Sequence, residues 1–321
     1  MKRLLAACLL GVAAIGVSPL GAQSFPVKPI RIIVPFPPGD TLDTMSRLIG
    51  PRLTERLGQP ILVDNRTGAA GQLGLELGAR AAPDGYTLVG GQGGNLVVQP
   101  HTYKKLPYDT FRDFTPIANG TRNYLALVAS ATGPFKTVQD MLAYAKANPG
   151  KLSLASNGEG GWPHMSIEML RMASNFSYLH VPFKGSTQIV SEILGGRVDA
   201  TILGIGALAP FIQSGRLRLL AVTSPTRAAQ FPDAPAMAES VPGYDSRGWF
   251  GYLGPAGMPP KIVELLNAEI NRALNLPDIR EKLESTGLTV LNESPQAFAR
   301  TLREDFDTYG KVIRAIGLQP Q

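Results

Sequence analysis

Short apolar runs alternate along this chain with stretches in which apolar residues return every three or four positions. Ile30 to Val34 is the first run, interrupted only by Arg31, and it reads as a strand covered on both faces. Met45, Leu48, Ile49, Leu53 and Leu57 follow at helical spacing, and Gly58 is placed to end that helix. Pro60 to Val63 predicts a second strand. A helix from about Gln72 to Ala81 stops at Ala82-Pro83-Asp84-Gly85, and Tyr86 to Val89 predicts a third strand. Strands and helices in strict alternation, joined by short turns, predict a right-handed parallel α/β layer. Residues 101 to 121 carry no clear period and read as irregular.

A second layer follows. Leu125 to Ala129 is a strand, and Thr137 is a fitting cap for the helix after it. Leu152 to Ala155 is the next strand, then comes a helix carrying Met165, Ile167, Met169, Leu170 and Met172. Its methionines read as core packing rather than as a metal or cofactor site. Tyr178 to Val181, Ala200 to Leu203 and Leu217 to Val222 complete the strands, with a helix of Ile189, Val190 and Ile193 between. Trp249 to Leu253 reads as a return strand. Two long helices close the chain, one with Ile262, Leu265, Leu266 and Ile270. The other starts at Ser294-Pro295 and buries Phe298, Leu302 and Phe306. These helices have no sheet of their own, so the chain is expected to return to the first layer near Trp249. The division expected is one lobe of residues 23–123 plus 249–321, a second of 124–248, and a cleft between them.

The N-terminus changes the setting. Met1-Lys2-Arg3, an apolar run from Leu4 to about Val17 and a small residue before Gln23 predict a cleavable signal peptide over residues 1–22, hence a periplasmic protein. The apolar run is too short for a membrane span, and too little of it precedes Cys8 for lipidation. Cys8 is the single cysteine, so the mature chain is expected to lack disulfides, thiol chemistry and thiolate metal sites. The 31 lysines and arginines exceed the 25 aspartates and glutamates by six. They are scattered, which argues for a solvated basic surface and no nucleic-acid partner.

Candidate chemistry is sparse. His101, His164 and His180 stand outside any H-E-x-x-H or H-x-x-x-H pattern, so no metal is expected. There is no G-x-S-x-G elbow and no phosphate-binding P-loop, and only G-x-G fragments occur, at Gly91 and Gly158. No nucleophile–base pair can be assembled, so no catalytic residues and no cofactor are expected. What remains is five polar, glycine-rich turns, each directly after a strand: Pro38 to Asp43, Thr67 to Gly71, Gly90 to Asn95, Ser156 to His164 and Phe183 to Thr187. Ligands of open α/β sheets bind beyond the carboxyl ends of the strands, where glycine lets backbone N–H groups approach an anion. His164 is also placed to cap its own helix.

The ordered residues Pro29-Ile30-Arg31-Ile32-Ile33-Val34-Pro35-Phe36-Pro37-Pro38-Gly39, Leu57-Gly58-Gln59-Pro60, Asp64-Asn65-Arg66 and Ala82-Pro83-Asp84-Gly85-Tyr86-Thr87-Leu88 carry a resemblance. So do Leu106-Pro107-Tyr108-Asp109, His180 to Ser186, Leu219 to Thr223 and Pro255-Ala256-Gly257. Across nearly all of the mature sequence the chain resembles the solute-binding proteins of tripartite tricarboxylate transporters, the Bug family. The resemblance implies an α/β, two-lobed type II periplasmic binding protein fold, with two mixed sheets flanked by helices around a hinged cleft. It implies a monomer that closes on a small solute, commonly a carboxylate, and hands it to membrane transport subunits.

The resemblance also implies that Pro38, Gly39, Asp40, Thr41 and Asp43 face Ser156, Asn157, Gly158, Glu159 and His164, with Phe183, Lys184, Gly185 and Ser186 lining the second lobe. Three departures stand out: Asp40 where a second glycine is usual, Glu159 where an uncharged residue is common, and Leu203 where an Asp often follows its strand. A carboxylate beside a bound anion is repulsive unless paired or turned away. The departures therefore point to a solute that is neutral overall or carries an amide or cationic group. The competing functions are a sensor that presents its solute to a receptor, and an exported enzyme using the same cleft.

Overall fold

The computed structural model describes residues 25–183, 185–228 and 231–320. The expected signal peptide and Lys184 lie outside the described residues. The first elements are β1 (Ile30–Val34), α1 (Thr41–Leu57), β2 (Ile61–Asn65), α2 (Gln72–Ala79), β3 (Thr87–Gln92), α3 (Gln99–Thr102) and β4 (Phe114–Ser130). Next come α4 (Val138–Ala147), β5 (Ser153–Ser156), α5 (Trp162–Ser174), β6 (Leu179–Pro182), α6 (Ser186–Leu194), β7 (Ala200–Gly204), α7 (Ile205–Gln213) and β8 (Leu217–Val222). The chain then runs through α8 (Met237–Ser240), β9 (Arg247–Pro255), α9 (Pro260–Leu274), α10 (Pro277–Glu284), β10 (Leu288–Val290) and α11 (Pro295–Ala315).

β1 pairs in parallel with β2 on one side and β3 on the other, as the alternating pattern predicts. Ile30, Ile32, Ile33 and Val34 are buried because both faces of the strand are covered. α1 ends where Gly58 takes a left-handed conformation and its N–H returns to the Thr54 carbonyl at 2.9 Å. At the other end of the chain Ser294 caps α11 by accepting from the Ala297 N–H at 3.2 Å. β5 pairs in parallel with β6 and β7, giving a second parallel group.

β4 joins the two groups. Its residues Phe114 to Tyr124 pair antiparallel with β9, and Thr121 to Asn123 with β10 on the other edge. From Leu125 onward its partners become β7 and β8. Register shifts near Pro116, Asn119 and Leu127 bend this long strand as it crosses. The sheet order is β2-β1-β3-β9-β4-β7-β5-β6, so the two expected sheets share one strand. No helix among the described residues is long and apolar enough to cross a membrane.

Three expectations are corrected. The stretch 101–121 holds the last two residues of α3 and the first eight of β4 (114–121), and is irregular only from 103 to 113. Its buried polar residues hid the strand: Asn119 donates to Glu293 Oε2 at 3.0 Å, and Thr121 packs against Met45 Sδ. Gly90, Gly91 and Gln92 belong to β3 rather than to a turn. A Cβ on Gly90 would overlap Leu42, and one on Gly91 would overlap Leu96, so these glycines serve helix–sheet packing. Met172 is exposed, and of the α5 methionines only Met165 and Met169 join the core.

Candidate functional site

The carboxyl ends of β1, β2, β3, β5 and β6 all lead into the polar turns singled out in the sequence. After β1, Gly39 adopts φ +85°, a conformation that glycine takes without a steric penalty. Asp40 is the N-cap of α1, its Oδ1 accepting from the Leu42 N–H at 3.1 Å. Burial raises the Asp40 carboxyl above the usual carboxylate range, against the lowering effect of that backbone bond. The residue that replaces the usual glycine therefore occupies the anion-seeking end of its own helix.

Asp43 points inward rather than out of the turn. Its carboxylate accepts from the Gly39 N–H at 2.8 Å, from Arg47 Nε at 3.0 Å and from Asn65 Nδ2 at 2.9 Å. Burial pushes this carboxyl up, but the bonds from Arg47, Gly39 and Asn65 outweigh it and hold it below its ordinary value. Asn65 also donates to the Phe36 carbonyl at 3.0 Å. Asp43 thus ties the turn after β1 to α1 and to the end of β2, while Pro38 is exposed and Thr41 half-buried.

The turn after β5 is braced by histidine. Gly160 N–H donates to His164 Nδ1 at 3.0 Å, and the His164 ring stacks on His180 at 4.0 Å with an interplanar angle of 2°. His180 Nε2 lies 2.7 Å from Ser156 Oγ, which itself donates to the Gly158 carbonyl at 2.9 Å. Burial, then the neighbouring His180, lowers His164 to about 4. Burial lowers His180 as well. Sequence reasoning found no serine–histidine pair; the parallel pairing of β5 with β6 creates this one. Ser156 is fully buried and its hydroxyl proton is committed to Gly158, an arrangement that holds a turn and exposes no nucleophile. Asn157 and Glu159 are exposed on the same turn and Gly158 is half-buried. Phe183, Gly185 and Ser186 lie on the adjacent turn into α6, with Phe183 N–H bonded to the Ser156 carbonyl at 2.8 Å. Leu203 is buried inside β7, facing core rather than cleft.

A cavity of ≈ 370 Å³ brings the two groups of turns together. Phe36, Gln92, Asn95 and Gln99 line it from the side of β1–β3, and Glu159 to Trp162 from the side of β5. Leu318 and Gln319, just past α11, complete its wall. Its volume falls within the range of roughly 300–1,000 Å³ typical of small-molecule sites. No Lys or Arg lines it among the described residues. Of the individual site residues expected from the sequence only Glu159 lines this cavity; Asn95 and Trp162 fall inside two of the expected turns without having been assigned a role, and Gln99 was missed. Trp162 follows a glycine pair at the start of its helix, which was the one local signal for it.

Two α/β groups joined by antiparallel crossing strands, with a polar cavity at their strand ends, define a protein of the periplasmic solute-binding class. The chain belongs to the TctC family, described as "Tripartite tricarboxylate transporter family receptor", whose profile matches residues 45–318. It is 34% identical to Protein BugT of Bordetella pertussis over 320 residues, covering 99% of this chain and 98% of that one. Among solved structures it resembles Rpa4515 of R. palustris with adipate, at 32% identity and TM-score 0.73, covering 92% of this chain and 100% of that one. It also resembles MatC (Rpa3494) of Rhodopseudomonas palustris with bound malate, at 31% identity and TM-score 0.69, covering 90% and 100%. A TctC solute-binding protein from Polaromonas with no ligand superposes at TM-score 0.82 and 26% identity, covering 91% and 100%.

Proposed function

We propose that this protein captures a small carboxylate solute in the periplasm by closing two lobes on it, and delivers it to membrane transport subunits. The observation that carries this reading is the shared cavity, to which Phe36 contributes from one group of strands and Glu159 to Trp162 from the other. The lobes are residues 23–123 plus 249–321 and residues 124–248, a division supported by the change of partners along β4 at Tyr124 and Leu125. The adipate and malate of two similar structures support a carboxylate. The better superposition on a structure with no ligand supports an open resting form. Closure then follows from differential affinity, because contacts from both lobes exist together only in the closed form. The protein is a monomer and performs no chemistry on its solute.

Asp40 and Glu159 lower the negative charge the site accepts. Asp40 already occupies the anion-seeking N-terminus of α1, and Glu159 lies on the cavity wall. The preferred solute therefore carries one carboxylate and a neutral or amide remainder. A thermal-shift panel of dicarboxylates, amino acids and carboxylate monoamides tests this reading. At least one is expected to raise the melting temperature and to be recovered unchanged, and Asp40→Gly is expected to tighten binding of the diacids. A panel without any stabilising carboxylate, or one converted to product, overturns it. Loss of uptake on deletion separates transport from sensing.

A further inference from the structure

α11 ends in a turn that fixes where the next residues go. Gly317 takes φ +69°, which glycine adopts without a steric penalty. Its N–H donates to the Arg314 carbonyl at 3.1 Å, and the Leu318 N–H reaches back to the Ile313 carbonyl at 3.3 Å. This pair of bonds is the Schellman motif, in which the residue after the glycine folds back onto the helix it has left. Leu318 accordingly packs against the apolar cluster that holds Ile313 of α11 together with Met165 of α5. Gln319 Nε2 donates to the Gly317 carbonyl at 3.3 Å and keeps the next residue on the same path.

That path runs up against the turn after β5. A Cβ on Gly160 would stand 3.2 Å from Leu318 Cδ2, so the two halves of the cavity touch here, one as bare backbone and the other as a methyl group. Leu318 and Gln319 also line a separate cavity of ≈ 230 Å³, beside Ile313 and Arg314. The wall between that cavity and the one of ≈ 370 Å³ is therefore a single stretch of chain. With no second layer behind it, the side chain of Leu318 governs how far the larger cavity extends. Leu318 is half-buried, and with Trp162 it gives the cavity an apolar side, whereas Gln92, Asn95 and Gln99 give it a polar one. Glu159 stands on the same wall next to Gly160. A second carboxylate at this end would meet that negative side chain, while a hydrocarbon end meets the methyl groups of Leu318.

We propose that Leu318 contacts the hydrocarbon end of the solute and gauges its length, the solute being a monocarboxylate with an apolar body. The proposal rests on the solute-capture reading and names the solute's chemical class. Leu318 is then a specificity-determining residue, and the turn at Gly317 positions it.

The test measures by calorimetry the affinities of the unbranched monocarboxylates from butanoate to octanoate, and of the dicarboxylates of the same lengths. It compares wild type with Leu318→Ala and Leu318→Phe. Wild type is expected to prefer one length of monocarboxylate. In Leu318→Ala the preference is expected to move to longer chains, the homologue one methylene longer gaining about fourfold on the solute that wild type prefers. In Leu318→Phe it is expected to move to shorter chains, which keeps the test in force if the alanine variant does not fold. An unchanged preference overturns the proposal, as does an equal loss at every length, which a purely structural role would give. Tighter binding of the dicarboxylates overturns it too, and so does failure of both series while another carboxylate raises the melting temperature; in these cases the capture reading stands. If no carboxylate binds the wild type, the capture reading falls with it.

Discussion

Asp43→Ala is expected to remove about 3 kcal/mol of folding stability and to weaken solute capture at least tenfold. The side chain is 2% exposed and gathers N–H donors from three places: Gly39 in the turn, Arg47 one helical turn on, and Asn65 at the end of β2. Removing the carboxylate leaves the half-buried Asn65 amide short of one partner and the Gly39 N–H without its protein acceptor. It also frees Gly39 from the left-handed conformation that shapes the turn. Asp43→Asn should be nearly as damaging, since it presents a donor group to a set of donors. Urea denaturation with calorimetry checks both effects. A loss below about 1 kcal/mol with binding unchanged would show that the turn does not depend on this brace.

Acidification is the second large effect. Between pH 6.5 and 4 the wild type is expected to lose on the order of 2 kcal/mol of stability relative to His164→Gln. His164 is lowered in the folded state to about 4, first by burial and then by the stacked His180, while Glu168 and Glu159 pull it upward. Unfolding lets the ring bind a proton at its ordinary value. In this window the unfolded state therefore binds more protons, and stability falls as pH falls. Above pH 6.5 both states are neutral and the contribution is fully present. Glutamine retains an acceptor for the Gly160 N–H, so the variant isolates the titration. Asp305, raised to about 6 by burial, and Asp40, also raised, act with the opposite sign in part of this range. The difference between the two proteins, measured by denaturation at each pH, is consequently the informative quantity. A difference that stays flat from pH 6.5 to 4 would contradict a neutral, buried His164.

Local chemistry made much of the fold legible. The apolar run of β1, the Gly58 terminator and the Ser294-Pro295 start of α11 each depend on neighbours within a few residues, and each is found where the pattern places it. Long-range pairing was not legible. Asn119 and Thr121 look like loop residues until Glu293 and Met45 are brought against them. Gly90 and Gly91 look like a turn until Leu42 and Leu96 claim the space of their side chains.

The candidate site divides in the same way. The turns were recognisable from glycine after a strand, but side-chain direction was not. Asp43 and His164, singled out as ligand-facing, are spent on bracing backbone N–H groups. Asp40, the departure that suggested an unusual solute, is the cap of α1. The cavity wall instead draws on Trp162, Asn95 and Leu318, whose approach depends on how β4, β9 and α11 cross.

The central claim is that solute contacts from both groups of turns form only when the lobes close. Small-angle X-ray scattering during a titration with the tightest-binding carboxylate of the panel tests it most directly. The radius of gyration is predicted to fall along the same saturation curve as the calorimetric heat. Saturable binding with an unchanged radius of gyration would contradict it.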